Sequence, residues 1–160
     1  MTDIEVLNAL GIDDFRHMTK EKVISFASLL DQMDPHVAEK ALEQFPSFAN
    51  TIVSLAADYK DVLGMAANNN TEIAKAAIAV CQSIIDCLSN QVQISQTFEE
   101  KKYYLTIMKQ LSEDVKIITS ESQRSNNKLV ETVGIVLIIF TGILGCALGA
   151  KGHFTPSANH

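Results

Sequence analysis

Few residues in the chain have types and spacings suited to chemistry. Asp13, Asp14 and His17 lie at separations of 3 and 4, so a helical turn there would bring two carboxylates and an imidazole to one face, as part of a metal site. No fourth ligand accompanies them, and they read as surface polar residues and a cap. His36 falls in the first turn of an expected helix and reads as a solvated residue, while His153 and His160 stand near the end of the sequence. Cys81 and Cys87 are six positions apart, which puts them on different sides of a helix and matches no metal or redox spacing. Both are expected to be small core residues. The run Glu99, Glu100, Lys101, Lys102 reads as a solvated helix start, with acids near the positive end of the helix dipole.

A nucleophile elbow, a phosphate loop, a dinucleotide fingerprint and a zinc-protease helix are all missing from the sequence. A chain with four histidines and scattered carboxylates is a poor candidate for an enzyme. We expect no catalytic activity, no cofactor, no metal and no small-molecule substrate. Thirteen Lys and Arg against nineteen Asp and Glu leave a net charge of −6, which argues against nucleic-acid binding by phosphate neutralisation. An apolar content of 47% over 160 residues excludes a natively disordered chain and is enough for one buried core. Three cysteines do not make a disulfide framework, so a reducing compartment is expected.

The elements that would position any site read as helices throughout. Five of the seven glycines (Gly134, Gly142, Gly145, Gly149, Gly152) lie in or beside the C-terminal apolar stretch, and only Gly11 and Gly64 serve the rest. Strand-and-turn architectures use more. Thr2 with Glu5 makes a capping box for a short first helix that Gly11 ends. Thr19 is expected to cap a helix reaching Met33 with Val23, Phe26, Ala27 and Leu30 on its inner face. Asp34 caps the next, with Pro35 at its first position, and Pro46 ends it near Phe45. A longer helix then carries Phe48, Ile52, Leu55, Tyr59, Val62 and Ala66 on one face as far as Asn68-Asn69-Asn70. That polar run, with Thr71 as the next cap, also spells an N-x-T glycosylation acceptor, which a polar loop explains more simply.

From Ile73 the apolar positions Ala77, Val80, Ile84 and Cys87 step by 4, 3, 4 and 3, a seam for a neighbouring helix. After a break near Ser95, Thr97 with Glu100 forms a second capping box, and Tyr104, Met108, Leu111, Val115 and Ile118 repeat the seam. The fold class predicted is all-α: a helical bundle over residues 1–118, followed by one C-terminal transmembrane helix.

Val133 to Ala150 runs eighteen residues with no charged, amide-bearing or proline position, about 27 Å of helix against a hydrocarbon layer of roughly 30 Å. Residues 130–150 are therefore read as the span, 119–129 as a polar juxtamembrane segment and 151–160 as a short tail. The ten residues after the span suggest tail anchoring. Lys116, Arg124 and Lys128 before it, against Lys151 alone after it, place the N-terminal domain in the cytoplasm. If Thr119 to Lys128 continued the preceding helix, residues 98–150 would form one helix of about 80 Å.

The span carries two rows of small residues, Thr141, Gly145 and Gly149 beside Gly142, Cys146 and Ala150, which let helix backbones approach closely and associate. A homo-oligomer is expected from this face. A pore would need polar lining, and only Thr141 with the interfacial Glu131 and Thr132 offers it.

The stretches MDPHVAEKALEQFP (Met33 to Pro46) and TFEEKKYYLTIM (Thr97 to Met108), followed by a glycine-bearing apolar tail, resemble an uncharacterised family of small bacterial proteins with an all-helical N-terminal domain and a hydrophobic C-terminus. The resemblance implies that layout and no activity. The first stretch also looks like one unit of the short-helix superhelical domain of some magnesium channels, yet no repeat follows it. Two functions fit the sequence: a membrane-tethered module whose acidic bundle binds or regulates a cytoplasmic protein, and an oligomeric membrane effector, toxin-like or host-defence-like, whose clustered tails permeabilise the bilayer.

Overall fold

The computed structural model describes residues 1–67, 72–94 and 97–120, which form six α-helices and three short 3-10 turns. No strand occurs among the described residues, so the all-α expectation holds. Helix α1 (Asp3–Leu10) begins with the capping box: the Thr2 N–H donates to Glu5 Oε2 at 2.7 Å and the Glu5 N–H returns to Thr2 Oγ1 at 3.5 Å. Gly11 ends it in the left-handed region, φ +65°, with the Gly11 N–H on Asn8 O and the Ile12 N–H on Leu7 O, both at 3.1 Å.

Between α1 and α2 (Val23–Leu29) the chain makes two 3-10 turns, Phe15–His17 and Lys20–Lys22, and a third, Leu30–Gln32, follows α2. The single helix expected from Thr19 to Met33 is thus a short α-helix between tighter turns. Thr19 makes no capping bond to the backbone, because its hydroxyl is engaged by the Glu21 carboxylate and the turn is closed by the Lys22 N–H on Thr19 O at 3.0 Å. Helix α3 (Pro35–Gln44) starts as expected, with Asp34 Oδ1 accepting the His36 N–H at 3.0 Å and Pro35 at the first position. Phe45, extended before Pro46, stops it, and Ser47 turns the chain with φ +50° into α4 (Phe48–Ala67).

Helix α5 (Glu72–Gln91) packs against α4, and Lys60 of α4 reaches Asp86 of α5 at 2.5 Å. Helix α6 (Phe98–Thr119) opens on the second capping box, Thr97 with Glu100. It packs against α2, α3, α4 and α5, which makes it the central helix. Tyr104, Leu105, Ile107, Met108, Leu111, Val115 and Ile118 are all buried, an arc wider than one seam. The edge-to-face pairs Phe26–Phe45 (6.4 Å) and Phe45–Phe48 (5.3 Å) join α2 to the α3–α4 corner.

The inner faces of α4 and α5 are rotated from the expected ones. On α4, Leu63 is fully buried, whereas Tyr59, Val62 and Ala66 are only partly covered. On α5 the buried residues are Ala74, Ala77, Ile78, Cys81, Ile84, Ile85 and Leu88, with Val80 and Cys87 at the margin. The seam Ala77, Val80, Ile84, Cys87 is therefore centred one position off, because α5 is covered by α4 and α6 together and not by one partner along a straight line. Helix α6 ends at Thr119, where Ser120 is extended and its N–H donates to Lys116 O at 3.1 Å. One unbroken helix over 98–150 is excluded at that point. No helix among the described residues is long and apolar enough to cross a membrane, and Val133 to Ala150 lies outside them.

Candidate functional site

The aspartate–histidine group was the first candidate, and the structure brings only two of its members together. His17 Nδ1 meets Asp13 Oδ1 at 2.5 Å in an exposed pair, and that hydrogen bond raises the imidazole above its usual range and lowers the carboxyl. Asp14 turns away to cap the 3-10 turn, accepting the Arg16 N–H at 2.7 Å. No cluster of three or more potential metal ligands exists among the described residues. His36 is exposed, with its backbone N–H on Asp34. Cys81 is buried, and desolvation pushes its thiol up to about 12, so it stays a protonated core residue. Cys87, expected in the core beside it, is only half-buried because it lies at the edge of the rotated α5 face.

The run of charges at the start of α6 is less uniform than a solvated helix start. Glu99 is exposed, but Glu100 Oε2 accepts from the Thr97 N–H at 2.9 Å and hydroxyl at 2.8 Å. Lys101 is half-buried, donates from Nζ to Leu42 O at 3.2 Å, and sits 5.6 Å from the centre of the Phe48 ring. It thereby caps a carbonyl near the end of α3, where a cation complements the helix dipole. An open cleft of about 400 Å³ lies beside it, walled by Glu43, Ser47, Phe48, Asn50 and Gln93. Glu43 and Lys101 in its lining, with the amides of Asn50 and Gln93, suit a polar chain segment better than an apolar small molecule.

Deeper in the bundle a second polar group interrupts the core. Asp114 is 1% exposed; its Oδ1 accepts from Gln110 Nε2 at 3.0 Å, and its Oδ2 meets no partner. Desolvation pushes this carboxyl up to about 6, against the opposing effect of the Gln110 bond and with a small contribution from the charge of Glu113. Cys81 of α5 feels its charge, and Ser112, two residues before it on α6, hydrogen-bonds Tyr59 of α4. Sequence reading passed over Asp114, although a signal existed: it stands three positions after Leu111 and four before Ile118, on the line of the α6 seam.

The residues expected to carry helix association, Thr141, Gly142, Gly145, Cys146, Gly149 and Ala150, lie outside the described residues, as do Arg124, Lys128 and Lys151. Lys116 is exposed in the last turn of α6. Comparison of the chain with protein-family models, with curated proteins and with solved structures finds no match.

Proposed function

We propose that the protein is a single-pass membrane protein whose acidic helical bundle works on the cytoplasmic side as a protein-binding or regulatory module, with self-association through the small-residue face of the span. The observation that carries this reading is the eighteen-residue stretch Val133 to Ala150, free of charge, amide and proline, which begins fourteen positions after Thr119, the last residue of the central helix. The bundle supports the module half of the reading by what it offers a partner. Residues 1–120 carry 10 Lys and Arg against 17 Asp and Glu, a net charge of −7, and this acidic surface suits a basic protein partner. The Lys101 cleft adds a polar recess at one corner.

The test combines membrane fractionation with oligomeric mass. The full chain is expected to resist alkaline extraction from membranes, and a variant with Ile138 and Ile139 changed to Lys is expected to be released. In detergent, Gly145→Leu with Gly149→Leu is expected to shift the particle to smaller mass, because bulky side chains keep the helices apart. Release of the full chain by alkali overturns the membrane reading. An unchanged mass overturns the association face.

The same small-residue rows favour a second reading, an oligomeric membrane effector whose clustered spans permeabilise the bilayer. Dye leakage from vesicles that the two leucine substitutions abolish would select it over the binding module.

A further inference from the structure

Asp114 is the only charged side chain buried among the described residues. An ionised carboxylate held in an apolar core is costly unless a cation or several donors compensate it. Here one oxygen has Gln110 at 3.0 Å and the other has nothing. The groups around it supply no positive charge. On α5 its charge is felt by the neutral thiol of Cys81, and Glu113 adjoins it on α6 itself. Helix α2 has no charged residue between Val23 and Leu29, and α3 lies toward the other half of α6, where Lys101 meets Leu42. On α4, Tyr59 bonds Ser112, while Asp58 and Lys60 are held in ion pairs by Lys20 at 2.6 Å and by Asp86 at 2.5 Å.

We propose that Asp114 is a proton-operated latch: with its carboxyl neutral, α5 stays packed on the C-terminal half of α6, and ionisation draws in water and loosens that contact. The geometry gives the latch its direction. Cys81 of α5 is buried and lies within reach of the Asp114 charge, so parting α5 from α6 would let water reach the carboxylate. Helix α4 packs extensively on both α5 and α6 and is bonded to α6 through Tyr59 and Ser112, so α4 stays in place and the smaller α5–α6 contact is the one that opens. Opening exposes apolar surface around Ile78, Cys81 and Ile85, all buried in the closed form. The latch lies within the bundle and does not depend on where the apolar stretch resides.

The sign follows from proton linkage. A carboxyl whose closed-state value is about 6, against 3.8 when solvated, binds more protons in the closed bundle, so closure is favoured at low pH and the preference declines as pH rises through that window. From pH 5 to pH 8 the open fraction rises about tenfold, levelling off above pH 6.

Cys81 supplies the readout, because its thiol is fully buried until α5 lifts. The full chain in detergent, carrying Cys87→Ala and Cys146→Ala, is labelled with a maleimide between pH 5 and pH 8, and each rate is divided by that of free glutathione at the same pH. The normalised rate is expected to climb about tenfold and then level off. In Asp114→Asn, which keeps the shape and cannot ionise, it is expected to stay flat. Gln110→Ala removes the bond that favours the charged form, so the levelling point is expected to move to higher pH, and this variant serves even if Asp114→Asn folds poorly. A flat wild-type profile, a rise retained in Asp114→Asn, or an unmoved levelling point in Gln110→Ala would overturn the latch.

Discussion

Leu63 and Val62 are adjacent on α4, and replacing each by alanine separates the observed packing from the face read off the sequence. The helical spacing from Phe48 puts Val62 inside, but the structure buries Leu63 completely and leaves Val62 half-covered. Leu63→Ala removes three buried carbons, about 2.4 kcal/mol at roughly 0.8 per methylene, and the cavity left behind brings the loss to about 3 kcal/mol. Val62→Ala removes two carbons that are half in water already, about 0.8 kcal/mol. Urea unfolding of the full chain in mild detergent, followed by far-ultraviolet circular dichroism, reports both. With a slope of about 1.5 kcal/mol per molar for a bundle of this size, Leu63→Ala lowers the midpoint by about 2 M and Val62→Ala by about 0.5 M. Equal shifts, or a larger one for Val62→Ala, would refute the observed register of α4 and with it the placement of α5.

Two turns and one exposed pair give further outcomes. Gly11→Ala is expected to cost about 1 kcal/mol through its left-handed backbone alone, because the added methyl would meet only Lys22 Nζ at 3.7 Å, and Ser47→Gly to gain several tenths of a kcal/mol by relieving φ +50°; thermal unfolding of the two variants should move in opposite directions. His17 is expected to titrate above the ordinary imidazole value of 6.5 in an NMR pH series and to return toward it in Asp13→Asn. Because the folded value is raised, any stabilisation from this pair is complete below 6.5 and lost as pH rises through the folded value; its exposure keeps that contribution small.

The parts of the fold legible in the sequence are those governed by residues a few positions apart. Both capping boxes, the Gly11 stop, the Asp34–Pro35 start and the break at Phe45 before Pro46 stand where spacing put them, since each depends on hydrogen bonds or sterics within one turn. Thr19 departed from expectation because a second acceptor two residues away, Glu21, competed for its hydroxyl. Lys101 read as solvated because its true partner, Leu42 O, lies 59 positions back along the chain. The Lys101 cleft was illegible for the same reason, since its walls come from three separate stretches of the chain.

Asp114 marks the line between the two kinds of information. Its place on the α6 seam was written in the spacing, but its burial depends on α6 being covered from several sides at once. The sequence by itself determined that this protein is helical, acidic and supplied with an apolar stretch of membrane length, because composition and local periodicity suffice for those properties. Only the tertiary structure decided which arc of each helix faces inward, that α6 is the central helix, and that the Asp114 carboxyl is sealed in the core. Those outcomes are set by the summed burial of faces contributed by distant segments, which no single helix encodes.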